Sequence, residues 1–412
     1  MISNMKVDTL YCVSVNLFHH GEKVRSKLES LLIKNMAHIE DIPLTGKLSP
    51  NEDLEKAEKL HEGFLQGPES LAWRGDELYT GIQTGLIVKI KDRMIHNVTR
   101  MGNTCDGDWD TRCGRPLGMR FIKDGSLIVA DAYLGIFRIN VDTGTIEHRE
   151  KTRLVSVEEE HAGKKPHFLD DVAIASDGNI FFTDASSIST LDTLVFEVAS
   201  SGSGRVLKYD PNTKKVEAVV EELHFPNGVE LSPDESHLLI AESVRRRILC
   251  YHLKGPKRGK MDVFATLPGS PDNIRSNGRG GYYIGIAMMP HPNKASPDII
   301  DILSSYPKSR RFIARILYLI HLPFSYGNIL FPNPILGTIA TTVANLAVLE
   351  KMNPAPYGLA LELDRDGNVV RSFHSPSGDL HSINKVTEEP WKLGRASQTI
   401  GQGSDDLRAV AR

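Results

Sequence analysis

The sequence predicts an all-β fold, a six-bladed β-propeller, on two observations. A segment in which a turn containing Gly or Asp precedes alternating strand-forming residues recurs five times, at intervals of about 50 residues. A second pair of strand-like segments, joined by a polar turn, follows each copy. Four strands per unit of this length are typical of a propeller blade, whereas the alternative, an array of β-sandwiches, rarely repeats one unit so regularly.

The five repeated segments mark the second strand of each predicted blade. They read GDELYTG (75–81), DGSLIVAD (124–131), DGNIFFTD (177–184), DESHLLIAE (234–242) and GRGGYYIGI (278–286). Turns such as DTG and DRDGN between later strands place Gly or Asn where a hairpin needs positive φ. A sixth blade is expected from LALELDRDGNVVRSF (359–373) followed by LHSINKVTEE (380–389). Because no further strand pattern follows, this last blade is expected to be incomplete.

The flanking segments differ from the repeats. We expect the propeller to cover residues 40–388. Residues 1–39 form an atypical N-terminal segment whose apolar stretches are too short for a signal peptide or an anchor. Residues 389–412 show no period-two alternation and are expected to be a disordered tail.

An insertion at about 290–356, between predicted blades five and six, contains no Asp, Glu, Lys or Arg from Ile316 to Leu349. Prolines interrupt it, so no continuous run of about 20 apolar residues could span a bilayer. One interpretation is a set of helices packed over the propeller face. The other is a possible membrane surface through residues 308–349, with the basic sequence KSRR (308–311) beside anionic headgroups.

Composition excludes several classes of protein. Of 412 residues, 40% are hydrophobic and 25% charged, as in a folded soluble domain. The net charge of −3 lacks the basic excess of a nucleic-acid-binding protein, so no nucleic acid is expected as a partner. Four cysteines without a CxxC motif argue against a disulfide-built fold and a cysteine zinc site.

Oxygen-bearing side chains recur where the first strand of each predicted blade begins. In a closed ring these equivalent positions converge on the central channel. Carboxylate and amide oxygens without sulfur or imidazole suit a hard cation, so we expect Ca²⁺, or another divalent cation, rather than strand caps that bind water. The expected ligands are Glu69, Asp170, Asn227, Asp272 and Asn273, and the second blade has Leu117 instead.

Several of these segments together resemble the strictosidine-synthase-like family. They include GPESLAW (67–73), CGRPLGMRF (113–121), DDVAIASDGNIFFTDASS (170–187) and FPNGVELSPD (225–234). The similarity covers roughly residues 40–388, and its nearest branch is that of the adipocyte plasma membrane-associated proteins and hemomucins. It implies a six-bladed propeller of the paraoxonase–gluconolactonase superfamily, whose enzymes bind a divalent ion in the channel and open esters or lactones.

The resemblance also implies site residues. The metal ligands carry over onto four of the expected positions, and Asp170 stands where paraoxonase-like proteins have Asn. The paraoxonase histidine pair would fall at Leu117 and Ala132, so it is missing. The catalytic Glu of strictosidine synthase would fall at or beside Asn384, so strictosidine synthase activity is not supported.

Proton transfer near the metal requires another group. The catalytic candidates are His167, on the loop KPHFLDD, and Asp171, for which hydrogen bonding around the metal ligands is the competing role.

Two features concern the cellular compartment. Related proteins keep the pair Cys105 and Cys113, so the resemblance implies a disulfide, with two free thiols as the alternative. Asn97 begins the glycosylation sequon NVT. Together these predict the lumenal or extracellular face of the endomembrane system or plasma membrane, although this sequence shows no recognisable signal or anchor.

The sequence therefore predicts a calcium-dependent hydrolase of small hydrophobic aryl esters or lactones, with the metal polarising the carbonyl or activating water. The alternative is a non-catalytic propeller, a surface receptor or adaptor whose metal is structural.

Overall fold

The fold is known from a computed structural model of the chain. It describes residues 42–104, 111–143, 151–198, 202–289, 291–292, 307–331, 333–344, 356–387 and 408–411.

Three antiparallel four-stranded sheets follow one another along the first half of the chain, and in each the strands are neighbours in chain order. The first contains β1–β4: Leu71–Arg74, Glu77–Gly81, Leu86–Lys91 and Met94–Arg100. The second contains β5–β8: Pro116–Phe121, Leu127–Asp131, Gly135–Ile139 and Lys151–Ser156. The third contains β9–β12: Leu169–Ile174, Ile180–Asp184, Gly204–Asp210 and Lys215–Leu223. A short helix α1, Val195–Val198, lies in the connection after β10.

Two more such sheets follow. The fourth contains β13–β16: Pro226–Leu231, His237–Glu242, Arg247–His252 and Met261–Thr266. The fifth contains β17–β20: Ser270–Ser276, Tyr282–Met288, Gly358–Leu363 and Val369–Ser375. Helices α2, Pro307–Leu330, and α3, Pro334–Ala344, lie between β18 and β19.

The expectation of six blades is wrong: the described chain forms a propeller of five four-stranded blades. The reason is the position of Leu359–Leu363, on which the expectation of a sixth blade rests. This segment pairs with Tyr282–Ile286 of β18 and therefore belongs to the fifth blade. For the same reason the helices lie within the fifth blade, between its second and third strands, and not between blades five and six.

A two-stranded sheet follows the fifth blade. Its strands are β21, Ile383–Thr387, and β22, Arg408–Ala411, paired antiparallel. The Nζ of Lys385 donates to Ser70 Oγ and to the carbonyl of Leu71, so β21 links the end of the chain to the first blade. Residues 388–407 lie outside the described part, so disorder of the tail as a whole stays a prediction; its last residues, in β22, are a strand.

Asp and Asn side chains form the hairpin turns that the repeat predicts. Asp124 Oδ1 accepts a hydrogen bond from the N–H two residues later, at 2.8 Å, and Asp177 does the same at 3.0 Å. Asp234 and Asp364 repeat this arrangement in the fourth and fifth blades. Such turns let the short polar side chain satisfy backbone donors that the ladder leaves unpaired. The repeat of Asp and Gly thus sets the spacing of the strands.

The apolar core is divided into clusters that lie between neighbouring blades. One cluster joins Tyr79 and Ile87 of the first blade to Met119 and Leu127 of the second. Equivalent clusters join the second to the third blade, the third to the fourth and the fourth to the fifth. Each blade therefore buries its faces against adjacent blades, and removing one would expose the core of two others.

A segment before the first blade docks on the last strand of the fifth. Asn51 Nδ2 donates to the carbonyl of Ser372, and its Oδ1 accepts from the N–H of His374. The imidazole of His374 is completely buried, with Nδ1 at 2.7 Å from the hydroxyl of Tyr357 and Nε2 at 2.8 Å from Ser372 Oγ. Burial lowers the pKa of His374 from its ordinary 6.5 to about 4, so the folded state holds the neutral imidazole.

We therefore expect the free energy of unfolding to fall as the pH drops from about 6.5 towards 4. Over this range His374 binds a proton in the unfolded chain but stays neutral in the folded chain. Below the pKa of the folded state both states are protonated, so His374 lowers the free energy of unfolding no further. Between pH 7 and pH 5 the loss is about 2 kcal/mol. Urea unfolding of the wild type and of His374→Gln at both pH values measures it. Equal losses in the two proteins would show that His374 is not responsible.

Candidate functional site

Three buried carboxylates meet where the first strands of the blades begin. Glu69, Asp170 and Asp272 each offer a carboxylate oxygen, and these atoms lie within 4.8 Å of one another. Asn227 and Asn273 begin the fourth and fifth blades in the same way and are also buried. We call these five residues the oxygen cage.

Neighbouring first strands approach closely beside the cage, and glycine permits it. A Cβ on Gly118 would lie 2.5 Å from the Cα of Asp171, and one on Gly228 would lie 2.7 Å from the Cα of Asn273. Any side chain at these two positions would push the strands apart. The sequence Pro-x-Gly at the second and fourth blade starts thus brings the ligand-bearing strands together.

Several oxygens of the cage accept no hydrogen bond within the described part of the chain. They are Glu69 Oε2, Asn227 Oδ1 and Asn273 Oδ1, all buried. The amide nitrogen of Asn273 donates to the other Glu69 oxygen, which turns the Asn273 carbonyl oxygen away from that carboxylate. Leaving buried acceptors unsatisfied costs about 1–3 kcal/mol each, so bound water or a cation is expected at these oxygens. A bound cation would satisfy them.

The pKa values of the cage carboxylates also favour a cation between them. Burial, and then the negative charges of Glu69, Asp272 and Asp171, raise the pKa of Asp170 well above its ordinary value. Burial and Asp171 also raise the pKa of Glu69, against the opposing effect of Arg115. Like charges brought together without water favour either proton uptake or a cation between them.

A pair of oppositely charged side chains lies beneath the cage, next along the first strands. The two terminal nitrogens of the Arg275 guanidinium, Nη1 and Nη2, donate to the carboxylate of Asp171 at 2.6 Å, and the N–H of Val229 donates to it at 2.9 Å. Burial alone would raise the pKa of Asp171, but Arg275 outweighs it, and the pKa lies below its ordinary value. Asp171 is therefore held as an anion that positions neighbouring strands.

Three further charged groups lie in the same layer of the channel, below the cage. Arg120 donates to Glu230 at 2.8 Å, joining the second blade to the fourth. Lys385, from β21, is buried, and burial followed by Arg275 and Arg120 lowers its pKa well below the ordinary value. Charged side chains, each with a named partner, therefore fill the channel below the cage.

Sequence reasoning missed this inner layer, although a signal for it exists. Arg120, Glu230 and Arg275 each lie three residues after a blade start, in strands whose other residues are mostly apolar. A charged residue repeated at one position of buried strands indicates a shared polar channel. The spacing of Lys385 could not be used, because the last repeat is irregular.

Apolar side chains surround the cage. Leu117 and Ala132, at the positions where the resemblance would place histidines, are buried in one cluster with Phe168, Phe225 and Val244. Phe168 and Phe225 each precede a cage residue by two positions, and their ring centroids lie 5.4 Å apart. We call this cluster the apolar collar.

The predicted catalytic residues lie in different environments. His167 is exposed on the loop before Asp170, and its Nδ1 lies 3.1 Å from the carbonyl of Lys165. Its backbone N–H donates to Asp184, which ties the loop to the third blade. Asp171, by contrast, is engaged by Arg275. A catalytic role for either residue stays a prediction.

Two other predicted sites involve no residue of the cage. Asn97 is exposed on β4, the outer strand of the first blade, as glycosylation requires. Cys113 is disulfide-bonded, whereas Cys105 lies outside the described residues. Glycosylation and the pairing of Cys113 with Cys105 stay predictions.

Comparison with known proteins places the chain in a family. It is 39% identical over 369 residues to the adipocyte plasma membrane-associated protein of Danio rerio, covering 88% of this chain and 80% of that one. This chain belongs to the adipocyte plasma membrane-associated protein family. The human member is 36% identical, covering 85% of this chain and 77% of its own. Hemomucin of Drosophila melanogaster is 35% identical over 84% of this chain, which spans 59% of that longer protein.

Family models agree with this assignment. The model described as strictosidine synthase matches residues 170–256, and that described as strictosidine synthase-like, N-terminal, matches residues 46–90. Both matches include residues of the oxygen cage. The predicted resemblance to strictosidine-synthase-like proteins is confirmed.

Solved propellers overlap this member of the family only in part. A gluconolactonase from Xanthomonas campestris has a TM-score of 0.42 at 18% identity, covering 54% of this chain and 71% of that one. A calcium-binding protein, regucalcin, from Agrobacterium tumefaciens has a TM-score of 0.39 at 14% identity, covering 54% and 68%. Within the described residues, no helix has both the length and the hydropathy to cross a membrane.

Proposed function

We propose that this chain is a calcium-dependent hydrolase of aryl esters or lactones, acting at the oxygen cage. The observation that carries the proposal is the convergence of three buried carboxylates, beside cage oxygens of Glu69, Asn227 and Asn273 that accept no hydrogen bond from the described residues. Structural ion pairs normally bring each buried carboxylate its own cation, as Arg275 does for Asp171. The cage carboxylates Glu69 and Asp170 instead face one another.

Calcium fits the donor set. All five cage residues offer oxygen, and calcium takes about 6–8 oxygen ligands in flexible geometry. Cage residues include neither sulfur nor imidazole, which zinc and copper prefer. Three carboxylates exceed the charge of one divalent ion, and the nearby positive charge of Arg115 moderates the remainder. Residues Glu69, Asp170, Asn227, Asp272 and Asn273 would hold the ion.

The surrounding residues suit a hydrophobic substrate. A calcium ion, when bound, supplies a Lewis acid that can polarise an ester carbonyl or activate water. The apolar collar would pack against an aryl or alkyl group, and its phenylalanines favour aromatic partners. Arg275 and Asp171 keep the cage strands in place. The exposed His167 is the candidate proton acceptor at the rim, because Asp171 is committed to its ion pair.

One observation favours the second candidate function, a propeller whose metal is structural and whose surface acts as a receptor or adaptor. The resemblance would place histidines at two positions near the cage, but these positions hold the apolar residues Leu117 and Ala132. A channel without these groups could still gain stability from calcium binding. Calcium binding alone therefore fits both functions, and only hydrolysis of an ester or lactone distinguishes the enzyme from the receptor.

For the compartment, we propose the lumenal or extracellular face of a membrane system. The disulfide of Cys113 supports an oxidising environment, and relatives are named plasma membrane-associated proteins. Glycan analysis at Asn97 is the check.

Turnover of a panel of aryl esters and lactones should require calcium and the cage. Glu69→Gln keeps the shape of the side chain but removes one ligand charge, so we expect activity to fall by about 100-fold or more. Chelation of the wild type should have the same effect, reversed by added calcium. Glu58→Gln is the control, because Glu58 is an exposed carboxylate paired with Arg93. A rate of hydrolysis that is unchanged by chelator and by Glu69→Gln would exclude a catalytic metal. Calcium binding without hydrolysis of any substrate in the panel would favour the receptor or adaptor.

A further inference from the structure

Helix α2 has one apolar face that packs against α1 and α3. Ala314 and Tyr318 are buried on this face, and Tyr318 packs edge-on against Phe196 of α1 with ring centroids 5.2 Å apart. The ring of His321 also contacts Phe196, at 5.8 Å. These contacts fix the orientation of α2 and define which side faces away.

The side facing away is also apolar. Positions 312, 316, 319 and 323 recur at helical spacing and fall within an arc of roughly 60°. Phe312 is 65% exposed and Leu319 is 54% exposed. The stripe continues at Leu330, the last residue of α2, then at Phe331 and onto α3 at Ile335. We define the apolar stripe as six of the exposed large side chains: Phe312, Ile316, Leu319, Leu330, Phe331 and Ile335.

The charged residues of the two helices that carry the stripe are all basic. Residues 307–344 contain no Asp or Glu, whereas Lys308, Arg310 and Arg311 lie in the first five residues of α2. An exposed helix of a soluble protein normally carries both signs on its outer face. Exposed apolar residues beside basic residues are typical of helices that lie in a bilayer surface with anionic headgroups.

Strand pairing places the helices at the cage end of the propeller. Ser270, which begins β17 just before Asp272, pairs with Met288, after which the chain leaves for α2. Leu169, just before Asp170, pairs with Asp184, after which the chain leaves for α1. The two helices that contact each other, α1 and α2, therefore both extend from the end at which the cage lies.

We propose that the apolar stripe is a membrane-docking surface that lays the cage end of the propeller against an anionic lipid bilayer. The helices would lie in the interface, because the described residues hold no helix able to span it. Docking would present the site to substrates dissolved in the lipid. This inference holds whether the cage catalyses hydrolysis or only binds metal.

Sedimentation with vesicles tests it. We expect the full chain to sediment with phosphatidylcholine vesicles that contain phosphatidylserine, less with phosphatidylcholine alone, and less at high salt. Replacing Phe312, Leu319 and Phe331 by Ser should weaken partitioning by about 100-fold, because three large side chains no longer leave water. Lys308→Glu with Arg311→Glu should weaken only the phosphatidylserine-dependent part, roughly fivefold or more per charge.

A matched control is available outside α2 and α3. Phe64, Met261 and Val263 are also exposed, and replacing them by Ser should leave vesicle binding unchanged. The unfolding midpoint of both triple variants should stay near that of the wild type. Absence of vesicle binding, or equal binding by the stripe variant, would overturn the proposal. A wild type that is dimeric by light scattering, with a stripe variant that is monomeric, would also overturn it, because a second copy of the chain would then cover the stripe.

Discussion

Replacing Asp171 by Ala is expected to lower the free energy of unfolding by about 3–5 kcal/mol. The change leaves the guanidinium of Arg275 buried without its anion, in a channel that also holds Arg120 and Lys385. It also removes the acceptor of the Val229 N–H. Urea unfolding followed by circular dichroism gives the value. The loss follows from an uncompensated charge, so Asp171→Ala with Arg275→Met should recover a large part of it.

The control is an ion pair of the same geometry on the surface. Arg74 donates to Asp142 through its two terminal guanidinium nitrogens, at 2.8 and 2.9 Å, but the Asp142 side chain is 62% exposed. Asp142→Ala should cost about 1 kcal/mol or less, because water replaces the lost partner. Similar losses at the two sites would contradict the account of a desolvated inner layer.

Replacing Asp170 by Asn should change stability in opposite directions with and without calcium. In chelator, the variant should be more stable by about 1–2 kcal/mol, because it removes a like charge that Glu69 and Asp272 oppose. In calcium, the wild type gains about 2.7 kcal/mol at a concentration 100 times the dissociation constant. The variant should gain less, since it has lost a charged ligand. Urea unfolding in chelator and in calcium measures both effects.

Asp184→Asn is the matched control for this inversion. Asp184 is equally buried, but it has its own cation in Arg205, at 2.9 Å. We expect this variant to be destabilised by a similar amount in chelator and in calcium. If Asp170→Asn behaves in the same way, its carboxylate is a structural group and not a ligand.

The candidate site was predictable from sequence because its residues recur at one position of a repeat. Glu69, Asp170, Asn227 and Asp272 begin equivalent strands, and a ring of blades brings equivalent positions to one axis. The Asp171–Arg275 pair was not predicted, because pairing across 104 positions of the chain depends on which blades face each other. Sequence periodicity gives the layer in which a side chain lies but not its partner.

The number of blades was harder to predict than the blade itself. The segment LALELDRDGNVVRSF has the pattern of two adjacent strands, which would fit the fifth blade or a sixth blade equally well. A long insertion separates it in sequence from β18, its partner strand. Only the pairing of Leu359 with Ile286 assigns it to the fifth blade. Local alternation defines a strand, whereas membership of a sheet is a long-range property.

Equilibrium dialysis of the purified chain against calcium measures whether the oxygen cage binds the ion. Assignment of the cage as a calcium site predicts one calcium ion bound per chain in the wild type. It also predicts loss of that ion when Glu69 and Asp272 are replaced by Ala, while Glu58→Ala, which removes an exposed carboxylate, binds as the wild type does. A wild type that binds no divalent cation, or a Glu69 and Asp272 variant that binds calcium unchanged, would contradict it.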